Sequence, residues 1–97
     1  MPRTVLRDDP EASIERSPDG YSMLAFSCPV DGCYVCIAIT WGDVAAAEKA
    51  RGRGPVWKAS GEFPDTLTLE PSVHIQTSEN GKRVSHWHGW LRDGVAE

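Results

Sequence analysis

The stretch Cys28-Pro29-Val30-Asp31-Gly32-Cys33 constrains the fold most, because it joins two runs whose apolar residues alternate. From Tyr21 to Cys28, the side chains of Leu24, Phe26 and Cys28 fall on one face of a strand; from Cys33 to Trp41, those of Val35, Ile37, Ile39 and Trp41 do the same. A Pro at an early turn position followed by Asp-Gly is turn chemistry, so the two runs fold back on each other as a hairpin. Asp43 is placed to cap a short helix over Val44 to Arg51, where alanines favour helix and Gly52 and Gly54 end it. Residues 56–59, 66–69, 72–77 and 83–91 read as further short strands, with Glu79-Asn80-Gly81-Lys82 as an Asn-Gly hairpin turn. Residues 1–19 carry acids, arginines and three of the seven prolines around Ile14, and read as an irregular N-terminal arm. The expected architecture is a mainly β domain over residues 20–97: a small antiparallel sheet or sandwich of five to six strands with one short helix at its edge.

A chain of 97 residues buries a single modest core, which a metal staple would reinforce. No run approaches the ~18 apolar residues of a membrane helix. The start, Met1-Pro2-Arg3-Thr4, lacks the apolar stretch of a secretory signal, so the expected location is cytoplasmic. Three cysteines are an odd number for a disulfide framework, and a reducing compartment favours thiols or thiolate ligands. The formal charge of −4 argues against nucleic acid as partner, with Arg51, Arg53, Trp57 and Lys58 as a small local exception.

All three histidines lie in the last third of the chain. On a regular strand His86 and His88 share a face, with imidazoles about 7 Å apart along the backbone, and such a pair can grip one metal ion. Cys28 and Cys33 stand at the two ends of a tight turn that brings their sulfurs together, as the knuckle of a zinc-ribbon-like site does. Zinc held by Cys28, Cys33, His86 and His88 is therefore expected. Cys36, three residues past Cys33, faces the other side of a regular strand and is the weakest sulfur candidate. His74, between Val73 and Ile75, reads more readily as a structural histidine than as a ligand.

The segment Thr68-Leu69-Glu70-Pro71-Ser72-Val73, followed after a variable hairpin by Trp87-His88-Gly89-Trp90-Leu91-Arg92-Asp93-Gly94, resembles a family of small uncharacterised phage and bacterial domains. Its members show an early C-P knuckle, a T-L-x-P-S-[IV] strand and a W-H-G-[FWY]-[IL]-x-[DN]-G ending, and the resemblance spans about residues 21 to 95. It implies a metal site formed by the early cysteines with a late cysteine and histidine, which carries onto Cys28, Cys33 and His88. The chain departs from the pattern at Ser85, three residues before His88, where the family has Cys; either His86 substitutes for it or the metal is lost.

Two functional classes follow. In the first, four side chains close the zinc sphere and the chain is a binding module acting on a protein partner, with Trp90 and Arg92 as its presented surface. In the second, three side chains bind zinc, a water holds the fourth position, and Glu70, Asp65 or His74 is the base of a metal-dependent hydrolase. No Ser-His-Asp arrangement is legible in the sequence, and Gly52-Arg53-Gly54 is too short for a phosphate-cradling loop. The last strand carries a further constraint: Trp87 and Trp90 lie on opposite faces, so Trp87 is expected in the core and Trp90 over the ligands.

Overall fold

The alternating runs form the hairpin at the centre of the domain. In the computed structural model, which describes residues 3–52, 54–70, 72–79 and 81–97 (side chains of 77–79 and 82–85 excepted), β3 (Ser22–Ser27) pairs antiparallel with β4 (Tyr34–Thr40). Leu24, Phe26, Cys28, Val35, Ile37 and Ile39 are all buried in one apolar cluster, so the face read from period-2 alternation is the core face. Trp41, at the end of that pattern, lies past the strand and is 38% exposed. Asp43 caps α1 (Val44–Arg51), its side chain accepting from the Ala46 N–H, and Gly52 ends the helix in the left-handed conformation. An eight-residue helix is too short to persist alone; Ala47 packs with Ala38 and Val56 on the sheet face opposite the main core.

The helix is a crossover, and its consequence is a parallel neighbour. β5 (Val56–Ser60) runs parallel to β4, and β6 (Thr68–Glu70) returns antiparallel beside β5. With β2 (Ser13–Arg16) on the far side, the main sheet has the order β2-β3-β4-β5-β6. A second, two-stranded unit pairs β7 (Val73–Glu79) with β8 (Lys82–Gly89). Asn80 of the expected Asn-Gly turn lies outside the described residues. The last unit pairs β1 (Thr4–Val5) with β10 (Val95–Ala96), and β10 with β9 (Leu91–Arg92). Asp93 and Gly94, both at positive φ, make the tight turn from β9 to β10. A Cβ at Gly94 would also run into the Pro64 carbonyl oxygen, so only glycine fits there. The protein is thus mainly β, with three small sheets and one α-helix among the described residues.

Residues 1–19, read as an irregular arm, contain β1, a 3-10 turn over Leu6–Asp8 and β2. The difference has a physical reason: these strands are short, and each is specified by a partner distant in sequence, β10 for β1 and β3 for β2. Leu6 is buried in the core. Asp9 fastens the segment, accepting from the Ser27 N–H at 2.7 Å, the Ser27 hydroxyl at 2.8 Å and the Glu11 N–H at 3.0 Å. Burial pushes the Asp9 carboxyl up, but these donors, the Ser27 N–H foremost, outweigh it and hold the carboxyl below its ordinary value. Because the folded value is the lower one, this stabilisation is present above about pH 4 and is lost as pH falls through the depressed value. Asp9→Asn is therefore expected to lose part of the acid sensitivity of folding. Urea melts at neutral and acid pH check this, and an identical pH dependence in both proteins contradicts it.

Trp87 enters the core at 6% exposure and meets Phe26 edge-on, with ring centroids 6.0 Å apart at 81°. Trp90 is 47% exposed, and the Arg92 guanidinium lies over its ring at 5.3 Å. Trp87→Ala is expected to cost about 3 to 5 kcal/mol as a large-to-small core change. Arg92→Ala should cost about 0.5 kcal/mol, since it removes one exposed cation–π contact. Denaturant melts of the two variants give the ratio; a mild Trp87→Ala beside a severe Arg92→Ala would reverse the assignment of faces.

Candidate functional site

The Cys28–Cys33 turn is tied by the Cys28 N–H to the Cys33 carbonyl at 2.7 Å and by the Gly32 N–H to the Cys28 carbonyl at 2.8 Å. Gly32 supplies the positive φ that the turn needs. These bonds place Cys28, Asp31 and Cys33 together, and His86 comes to them from β8. One ligand atom from each of the four lies within 4.8 Å of the others. The His86 Nε2 stands 3.1 Å from Cys33 Sγ and 3.2 Å from Asp31 Oδ1. Metal–ligand bonds of ordinary zinc length meeting at tetrahedral angles give ligand-to-ligand edges of about 3.3 to 3.8 Å, so small shifts suffice to seat an ion. Two thiols, one imidazole and one carboxylate are a donor set that fits a metal.

Burial, then hydrogen bonding with Asp31, pushes the Cys33 thiol up to about 12. The Cys33 N–H, donating at 3.0 Å, is the foremost of the contacts that hold the Asp31 carboxyl below its usual range. A cation at the centre reverses the logic for sulfur, since a coordinating thiol is deprotonated outright.

The position of His86 comes from a β-bulge. Opposite the consecutive residues Ile75 and Gln76 of β7 stand Trp87 and Ser85 of β8, leaving His86 as the extra residue. The bulge breaks the alternation that would have put both histidines on one face. His86 turns to Cys33, while His88 lies across from His74 with ring centroids 4.9 Å apart. Of the residues named from the sequence, Cys28, Cys33 and His86 come together; His88 stands apart from them, its Nε2 2.9 Å from Ser72 Oγ. Cys36 is exposed, apart from the cluster. Asp31 was not singled out as a ligand, although its place inside the C-P-V-D-G-C turn was the available signal.

Ser72 and His88 were not paired in the sequence reading, yet both lie in its most specific motifs. Ser72 sits just before β7 and His88 near the end of β8, so the strand pairing that opposes Val73 to Gly89 brings them together. Ser72 is further fixed by its carbonyl, which accepts from Trp57 Nε1 at 3.1 Å. The Trp90 ring stacks with that of His88 at 6.1 Å and 20°. A hydroxyl within hydrogen-bond reach of an imidazole is the arrangement of a nucleophile and its general base. Asp65 and Glu70, the carboxylates named as candidate bases, are both exposed.

Among the described residues, no helix is long and apolar enough to cross a membrane. No curated protein and no solved structure matches the chain. Over residues 2–97 the chain matches the family model described as bacterial ubiquitination-like system serine protease (BubE), and it belongs to that family.

Proposed function

We propose that the chain is a serine hydrolase acting on a peptide or isopeptide bond within a bacterial ubiquitination-like system, with Ser72 as nucleophile and His88 as general base. The observation that carries this is the 2.9 Å contact between Ser72 Oγ and His88 Nε2. The family description agrees with it. In this reading the neutral His88 Nε2 takes the hydroxyl proton as Ser72 Oγ bonds to the carbonyl carbon. His88 then returns that proton to the departing amine as the C–N bond breaks. Water, deprotonated by the same imidazole, releases the acyl group and restores Ser72.

The cluster of Cys28, Asp31, Cys33 and His86 serves in this reading as a structural zinc site. Four protein donors fill a tetrahedral sphere, which supports a closed site over the open one a metal-dependent hydrolase needs. When bound, the ion supplies rigidity to the knuckle and to the part of β8 that leads to His88. Three free cysteines fit a reducing, cytoplasmic setting. A second reading keeps the zinc but has no reaction: a module that docks on a protein through Trp90 and Arg92, favoured by the exposure of that stacked pair.

A fluorophosphonate probe separates the two readings, because it reacts covalently only with an activated serine. Mass spectrometry of the labelled protein is expected to place the adduct on Ser72. Labelling that is absent, or that persists in the His88→Ala protein at the same rate, leaves the docking module as the better reading.

A further inference from the structure

The outer face of the β7–β8 ladder carries a pair of imidazoles that the cysteine cluster does not use. Val73 is buried and Ile75 half-buried, so alternation puts Ser72 and His74 together on the other face. His74 stands opposite His88 in the strand register, both residues are exposed, and their ring centroids lie 4.9 Å apart at 38°. Two imidazoles on one ion, with bonds of about 2.0 to 2.1 Å meeting at roughly 90 to 110°, hold their ring centres about 4.5 to 5.2 Å apart. The observed spacing falls inside that span, so turning the rings suffices to seat an ion.

Two features suit this site to a visiting ion rather than a resident one. Among the described residues no further histidine, cysteine or carboxylate joins the pair, so water fills the rest of the ion's sphere and the ion exchanges. Arg51 lines the same hollow as His74, and a guanidinium nearby opposes a cation. The consequence falls on His88. A neutral imidazole has one nitrogen that accepts and one that carries a proton. An ion on Nε2 takes the lone pair that faces Ser72 Oγ at 2.9 Å, and an ion on Nδ1 leaves the proton on Nε2. In either case His88 cannot accept the serine's proton.

We propose that His74 and His88 form a second metal site, separate from the cysteine cluster, which takes a divalent transition-metal ion reversibly and thereby silences Ser72. The silencing rests on the serine-hydrolase reading; the site itself does not. Nickel alone is the probe, because imidazole suits it whereas thiolate-rich sites select zinc. In the wild-type protein, carrying the metal with which it was purified, nickel should broaden the imidazole resonances of His74 and His88 while leaving those of His86. It should slow fluorophosphonate labelling of Ser72 about tenfold or more, with recovery once nickel is dialysed away. In the His74→Gln protein nickel should bind about tenfold more weakly or worse. Labelling of that variant, set against its own nickel-free rate, should ignore nickel concentrations that silence the wild type. Broadening that spares His74, that falls on His86, or that is unchanged in His74→Gln overturns the site. Labelling that continues with both histidines occupied overturns the silencing. A wild type that never labels, with or without nickel, sinks the serine–histidine reading and the silencing with it, while the nickel titration still decides the site.

Discussion

Ser72→Ala is expected to lower peptide hydrolysis by about 10³-fold or more while leaving the melting curve in place. Among the described residues the hydroxyl's polar contact is with an exposed imidazole, so its loss leaves no buried group there unsatisfied. His88→Ala should lose a comparable factor, because an unassisted serine is a poor nucleophile at neutral pH. The sharper expectation concerns the double variant. Residues that act as one unit are non-additive, so Ser72→Ala with His88→Ala should be little worse than either alone. Steady-state kinetics on a fluorogenic peptide supply the comparison. Losses that multiply would show that the two side chains act separately, and the 2.9 Å contact would then be structural.

Stripping the cluster is expected to produce the largest change in stability. Metal binding and folding are linked in small metallo-domains, so strong chelator should lower the stability by on the order of several kcal/mol, and restored zinc should recover it. Cys28→Ser and Cys33→Ser should reproduce the loss, since each removes a donor from the same point. Cys36→Ser is the control: this thiol is exposed and outside the cluster, so it should shift stability by about 0.5 kcal/mol or less. Elemental analysis of freshly purified, reduced protein, followed by thermal melts with and without chelator, tests the set. Protein that is metal-free and equally stable in chelator would sink the zinc assignment. A cobalt-substituted sample adds the coordination number, because a closed sphere gives a thiolate spectrum that added anions do not alter.

The parts of the fold legible in the sequence were those specified locally. The β3–β4 hairpin and α1, with its Asp43 cap and Gly52 stop, each depend on residues within a few positions of one another. The pairing of β1 with β10 does not, and two-residue strands carry no periodicity to read. The division of labour among the histidines was illegible for a related reason. Nothing in Ser85-His86-Trp87-His88 announces an extra residue, so regular alternation was the only available rule. Ser72 was hidden by sequence distance, sixteen residues from His88 and joined to it only by strand register.

The bulge also decides how the strand tolerates change. Along β8, which side a residue faces works like a reading frame, and His86 acts as an inserted letter: the residues before and after it are read in different phases. Substitutions at position 86 change the letter and leave the phase intact, so Trp87 can stay in the core and His88 can stay beside Ser72. Deleting the residue would close the bulge instead, since the pairings of Gln76 with Ser85 and of Ile75 with Trp87 would then follow one another as in a regular ladder; the core tryptophan and the serine's partner would keep their places, and the cluster alone would lose its donor.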